Sequence, residues 1–251
     1  MTKRLRIGKL PVDVLTFAEA LDAIEALVTA KQGGFVFTPN VDHVVVADEH
    51  EAFAAAYQRA SLSLADGMPI VWASRLLGQP LPERVTGADI IVPLLERAGQ
   101  RGWRVYFLGA GPGVAHKAAE VVKARYGTQV VGLSSPMVRL DDAAQLDAIA
   151  AEIAAAKPDL VLMALGAPKQ ELLIDLLDER LRPAVSLGIG AGLDFIAGTV
   201  KRAPPFVRKV GLEWAYRLSR EPGRLWRRYL VNDPKFALIL LRTLRERRRG
   251  A

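Results

Sequence analysis

PDLVLMALG (158–166) has a single charged residue, near its start, and runs directly into KQELLIDLLDERL (169–181), whose apolar residues recur at helical spacing. An apolar run this short cannot cross a membrane, and its lack of alternation does not suit a strand with one wet face. It suits a strand covered on both sides, which is the signature of a parallel sheet between helices. The pattern repeats along the chain. GGFVFTPN (33–40) reads as a strand and VDHVVVADEHEAFAAAYQRA (41–60) as one helix. SLSLAD (61–66) is a short strand, followed by a helix over 68–78. A helix over 88–102 precedes the strand WRVYFLGA (103–110). A helix over 113–127, a strand over 128–135, an Ala-rich helix over 141–156 and a strand AVSLGIG (184–190) complete the alternation. The expected fold is α/β, with an open, mostly parallel Rossmann-like sheet and helices on both faces. A chain of 251 residues, 51% hydrophobic and without internal repeats, has enough material for such a core.

Charge divides the chain. Residues 1–200 hold 19 basic and 23 acidic residues, whereas residues 201–251 hold 15 basic and 4 acidic. The overall +7 therefore comes from the last fifth, which is expected to meet an anionic partner. The natural division is an α/β domain over 1–200 and a basic, helical appendage over 201–251. No segment approaches the ~18 apolar residues of a membrane span. The N-terminus MTKRLRIGKLPVDVLT lacks the apolar core of a signal peptide, which leads to the expectation of a cytoplasmic protein. With no cysteine, disulfides and thiolate catalysis are excluded, and the redox compartment stays undecided.

In an open parallel sheet, ligands bind where strand ends lead into helices. Those ends carry Thr38 and Asn40, Asp66, the glycine-rich LGAGPG (108–113) with Gly109 and Gly111, Lys169 and Gln170, and Gly190 to Asp194. Each has a plain structural reading as well. Asp66-Gly67 is a common turn pair, Thr38-Pro39-Asn40 suits a helix cap, and LGAGPG suits a tight strand-to-helix turn. The next strand ends VVGLSSPM, without the acidic residue a dinucleotide site places on the ribose, so NAD is disfavoured. His43 and His50 share the helix expected over 41–60, but their spacing without clustered acids makes a poor metal site. There is no G-x-S-x-G elbow, Walker loop or Asp-x-Asp pair. No metal and no cofactor are expected.

Taken together and in order, TPNVDHVVVA, LADGMPIVWASRLLGQPLPERVTGADI, LGAPKQE, GIGAGLDFIAGTVKRAPP and GLEWAYRLSREPGRLWRRYL resemble the WecG/TagA/CpsF family of bacterial glycosyltransferases. The resemblance covers about residues 7 to 231. It implies inverting, metal-independent transfer of a sugar, often N-acetylmannosamine or its uronic acid. The donor is a UDP-sugar, and the acceptor is a saccharide on undecaprenyl diphosphate. It carries Asp66 onto the catalytic base and places Thr38, Asn40, Arg84 and Gln170 in the same pocket. Asp194, with Gly190, falls in the expected nucleotide site. The appendage is implied to serve both an anionic membrane surface and the active site. One or more of Arg217, Arg220, Arg224, Arg227 and Arg228 would then hold the diphosphate in place of a metal. The protein would sit on the inner face of the membrane, in a cell-surface polysaccharide or teichoic acid pathway.

The 233–250 segment suits an interfacial amphipathic helix; packing against a second subunit, which would make a homo-oligomer, is the other reading. Two further functions stay open on the sequence. A nucleic-acid-binding α/β protein would use the same basic tail, although a net-acidic body makes nucleic acid an unexpected partner. A UDP-sugar hydrolase or epimerase would share the donor site.

Overall fold

The computed structural model describes residues 3–209 and 211–250, apart from the side chains of Pro205, Lys209 and Arg224. Six strands form one parallel sheet: β3 (Gly34–Phe37), β4 (Leu62–Ser63), β5 (Arg104–Gly109), β6 (Gln129–Ser134), β7 (Leu160–Ala164) and β8 (Val185–Gly188). Their spatial order is β4-β3-β8-β7-β5-β6. β3, β5, β7 and β8 are buried almost throughout, as their unbroken apolar sequences require. Helices flank the sheet: α1 (Phe17–Ala30), α2 (Val41–Glu49), α3 (Glu51–Arg59), α4 (Met68–Leu76), α5 (Gly87–Arg101), α6 (Val114–Tyr126), α7 (Ala143–Ala155), α8 (Lys169–Leu181) and α9 (Gly192–Ala197). Two apolar clusters result, one including Phe37, Tyr57, Met163 and Ile174, the other Val36, Ile90, Phe107 and Leu162. The neighbours Val36 and Phe37 fall in different clusters because successive strand side chains point to opposite faces.

Two local features depart from the sequence expectations. The 41–60 segment is two helices, because His50 adopts an extended conformation and its Nδ1 accepts the Phe53 N–H at 3.3 Å as an N-cap. His43 therefore lies on α2, and His50 caps the junction between α2 and α3. Second, an antiparallel hairpin, β1 (Arg4–Ile7) and β2 (Leu10–Asp13), precedes the sheet. Asp13, 2% exposed, accepts the Ser63 N–H at 2.7 Å and pairs with Arg4 at 2.9 Å. The hairpin thereby satisfies the outer edge of the two-residue strand β4, which would otherwise offer open backbone groups.

Beyond β8 and α9, the chain forms short helices α10 (Pro205–Lys209), α11 (Glu213–Arg220) and α12 (Pro222–Arg227), a π-helical turn Arg228–Asn232, and α13 (Lys235–Gly250). Glu221 leaves helical geometry between α11 and α12, with Pro222 opening the next helix. Both readings offered for 233–250 omit what α13 does first, which is to pack on its own chain. Ile239 is buried in the core, and Thr243 Oγ1 accepts the Gly8 N–H at 3.1 Å. Arg247 donates to Leu77 O at 2.7 Å. Arg242 pairs with Asp48 and Lys235 with Glu49. Leu238 and Leu241 on α13 remain exposed. Among the described residues, no helix is long and apolar enough to cross a membrane.

Candidate active site

A cavity of about 690 Å³ lies over the C-terminal ends of β3, β4, β5, β7 and β8. The body supplies seven segments of its wall, around Thr38, Asp66, Arg84, Ala110, Met137, Gly166 and Gly190, and the appendage closes it with residues that include Arg202, Glu213, Trp214, Arg217, Arg228 and Tyr229. Eleven residues expected from the sequence meet on this wall: Thr38, Asn40, Asp66, Arg84, Gly111, Lys169, Gln170, Gly190, Asp194, Arg217 and Arg228. Gly109 does not reach it. Its φ of +98° and a close approach to β7, where a Cβ would stand 2.6 Å from Ala164 O, account for that glycine. Arg220 and Arg227 are exposed and lie off the wall, Arg220 stacking over Tyr216. The Arg224 side chain lies outside the described residues.

Asp66 stands on the wall through backbone constraints on both sides. Its N–H donates to Pro39 O at 2.9 Å, Val85 N donates to Ala65 O at 2.8 Å, and Gly67 follows at a φ of +106° before α4. The turn and the placing of the carboxyl on the cavity wall are one construction. Among the described residues no side chain hydrogen-bonds or pairs with the Asp66 carboxyl. Its pKa is pushed up to about 7, first by burial and next by the negative charge of Glu213. Asp89 adds to that rise, while Arg84 and Arg217 oppose it. A carboxyl tuned this way can accept a proton near neutrality.

Around it the cations divide into fixed and unfixed groups. Asp89, on α5, binds Arg202 at 2.7 Å, Arg84 at 3.0 Å and Arg208 at 3.1 Å, and also accepts the Thr86 hydroxyl at 2.8 Å. These contacts hold Asp89 below the usual carboxylate range against its burial. Arg228 is also committed. It donates to Asn40 Oδ1 at 3.2 Å and lies 3.3 Å from Asp42, while Asn40 Oδ1 also accepts the His43 N–H that caps α2. Arg217 differs: it lines the cavity, and its guanidinium group makes no hydrogen bond or ion pair among the described residues.

Gln170 is committed too. Its Oε1 accepts the Gly190 N–H and its Nε2 donates to Glu171, both at 2.9 Å, so it braces the loop after β8. Glu171 is 1% exposed, and burial pushes its pKa up to about 7. His43 is a core histidine, with Nδ1 2.6 Å from the Tyr57 hydroxyl. Burial and the neighbouring Arg228 hold its pKa down to about 3, so it stays neutral. Among the described residues no group of three or more metal-ligating side chains forms.

Sequence reasoning missed Arg202, Glu213 and the Asp89 hub. Glu213 carried a usable signal, since it stands four residues before Arg217 and so on the same face of a helix. The Asp89 hub joins residues more than a hundred positions apart, and no spacing rule reaches that far.

The profile of the glycosyl transferase WecG/TagA/CpsF family matches residues 5–250. The chain belongs to this family. It is a glycosyltransferase, and the match takes in α13, beyond the 7–231 span that the motifs mark. The chain is 37% identical over 212 residues to a protein of Bacillus spizizenii (strain ATCC 23059 / NRRL B-14472 / W23), covering 84% of this chain and 80% of the relative. That relative is named N-acetylglucosaminyldiphosphoundecaprenol N-acetyl-beta-D-mannosaminyltransferase. A Bacillus subtilis (strain 168) protein of the same name is 32% identical over 213 residues, with the same shares covered. Neither finding supports a nucleic-acid-binding protein, a hydrolase or an epimerase.

Proposed function

We propose that this glycosyltransferase moves N-acetylmannosamine from a UDP donor to N-acetylglucosamine on undecaprenyl diphosphate, with inversion and without a metal. The observation that carries the reading is Asp66, an unpaired carboxyl with a pKa of about 7 on a cavity wall that also bears unpaired Arg217. The names of the two relatives supply the sugar and the acceptor.

The chemistry is one displacement. An acceptor hydroxyl attacks the anomeric carbon while the bond from that carbon to the diphosphate oxygen breaks. Asp66 takes the hydroxyl proton as the new bond forms, a role worth ~10²–10⁴ in rate. UDP departs with the bonding electrons. Arg217 is free to meet the charge growing on it, and Arg84, steadied by Asp89, lies on the same wall. Gly190 and Asp194, with the loop that Gln170 braces, form the nucleotide end, while Thr38 and Asn40 line the same cavity as Asp66. Arg228 acts by docking the appendage on the Asn40 loop.

As part of the same reading, the protein works on the inner face of a membrane with anionic lipid, where a lipid-borne acceptor would be met. In support, Trp72 and Leu76 on α4 are exposed at 47% and 65%, four residues apart on the face that begins with Met68 at the cavity. Trp214 and Trp226 are exposed on the appendage among its arginines. Exposed tryptophan beside arginine suits a lipid interface.

The test is product formation by the purified full-length protein from UDP-N-acetylmannosamine and a short-chain lipid-diphosphate-N-acetylglucosamine acceptor, with EDTA present. A β-linked disaccharide product that forms equally with and without EDTA is expected. Release of free sugar alone would refute transfer, and loss of activity restored by Mg²⁺ would refute metal independence.

A further inference from the structure

Glu213 is oddly placed for a site that must receive a diphosphate. It opens α11, lines the cavity, and sets one carboxylate oxygen 3.7 Å from Arg84 Nη1 and the other 3.5 Å from Arg202 Nε. Both contacts are longer than a charge-assisted hydrogen bond. Arg202 Nε is buried and makes no hydrogen bond. The far sides of the same two guanidinium groups are well held: Arg84 Nη2 lies 3.0 Å from Asp89 Oδ2, and Arg202 Nη1 lies 2.7 Å from Asp89 Oδ1. Arg202 also donates to Ala88 O at 3.1 Å and stacks over Phe195. Asp89 thus fixes two forks from behind, and their remaining N–H groups converge on a single, loosely held anion.

We propose that Glu213 holds the place of the donor's diphosphate, and that Arg202 is a further residue binding that diphosphate once Glu213 is displaced. The inference rests on the proposed donor class and adds to it a competitor and a ligand. Two phosphate groups carry more charge than one carboxylate and can reach hydrogen-bonding distance of Arg84 Nη1 and Arg202 Nε, so they displace it. Until then the carboxylate keeps two convergent cations from facing each other unscreened. Glu213 and Arg217 lie one turn apart on α11, so the helix that yields the site also presents Arg217 to it. The arrangement weakens ground-state binding of the donor and of UDP alike.

Calorimetric binding of UDP, uridine and inorganic pyrophosphate to the full-length protein tests this. Glu213→Gln keeps the shape and removes the charge, and it should bind UDP and pyrophosphate at least about fivefold more tightly than wild type, because like charges in one site repel. Arg202→Gln should bind both at least about tenfold more weakly. Uridine, without phosphates, should be unchanged by either substitution. Tighter binding cannot come from misfolding, so Glu213→Gln remains decisive even if Arg202→Gln folds poorly. Unchanged or weaker UDP binding by Glu213→Gln, or a uridine response equal to that of UDP, would overturn the inference. If pyrophosphate shows the pattern and wild type binds no UDP, the inference holds and the proposed donor is wrong. If wild type binds neither, both fall.

Discussion

The body and the appendage contribute to the same cavity by opposite physical means. The body, from β1 to α9, places Thr38 and Asp66 just past the ends of buried strands and Gln170 in the first turn of α8. The appendage buries little: Ala203, Leu225, Ile239 and Thr243 are its buried residues among those described. It is held instead by ion pairs and hydrogen bonds, with Arg202 and Arg208 on Asp89, Arg228 on Asn40 and Asp42, and Arg242 on Asp48. Packing holds a carboxyl whose raised pKa depends on its burial. Charge pairs suit cations that have to meet a ligand, exchange partners and let it go. In the proposed mechanism the base stands in the densely packed body, and Arg202 and Arg217 join Arg84 from the part held by charge pairs.

The largest effect expected is on Asp66. Asp66→Asn should lower turnover by ~10²-fold or more while leaving UDP affinity nearly intact. In wild type, kcat/KM should fall as the pH drops through about 7, since protonated Asp66 cannot accept the acceptor's proton. An acid limb near pH 4, or near-wild-type turnover by Asp66→Asn, would remove the body's claim to the base.

Next is the one place where the appendage is anchored as the body is. Ile239 is 4% exposed and belongs to the core, whereas its neighbour Leu238 is 69% exposed. Ile239→Asp should cost about 3 kcal/mol and lower Tm by about 6–12 °C, with Leu238→Asp near neutral. Equal Tm values for the two variants would mean that α13 does not pack as described. For the same reason, cutting the chain after Pro205 would uncover Ile239's pocket, and point substitutions separate the roles more cleanly.

The smallest effect is a stability change. Folding raises the Asp66 pKa, so the native state holds that proton more tightly than the unfolded chain. The stability this lends is complete below about pH 4 and is lost as the pH rises through 7. Asn carries no such loss. Asp66→Asn should therefore raise Tm by ~2 °C or more at pH 8, with a smaller gain at pH 5. A Tm gain independent of pH would show that charge burial is not its source.

The sheet was legible because its strands are unbroken apolar runs and its helices are amphipathic, signals that lie within ten residues of one another. Asp66, Thr38 and Asn40 were legible for the same reason, as polar residues at strand ends, and the family motifs drew them together. The β1-β2 hairpin escaped because each strand has four residues and β2 contains Pro11, which weakens any strand pattern. The break at His50 escaped because the 41–60 segment keeps its helical composition across it; only the ring accepting the Phe53 N–H marks the new start. The sorting of the arginines was beyond reach. Arg217 and Arg228 look alike in sequence, and what separates them is that Arg228 finds Asn40 and Asp42, residues almost two hundred positions away, while Arg217 finds the open cavity.

That sorting gives the most direct test of the division between a base in the packed body and cations brought by the appendage. Turnover of Arg217→Ala should be measured on a soluble short-chain acceptor that needs no membrane, alongside its binding to vesicles containing anionic lipid. A fall in kcat of ~10²-fold or more is expected, since one preorganised donor to the departing charge is lost, with vesicle binding close to wild type. Wild-type turnover by Arg217→Ala on that acceptor would contradict this role, and the departing diphosphate would then have to be stabilised by the body's own Arg84.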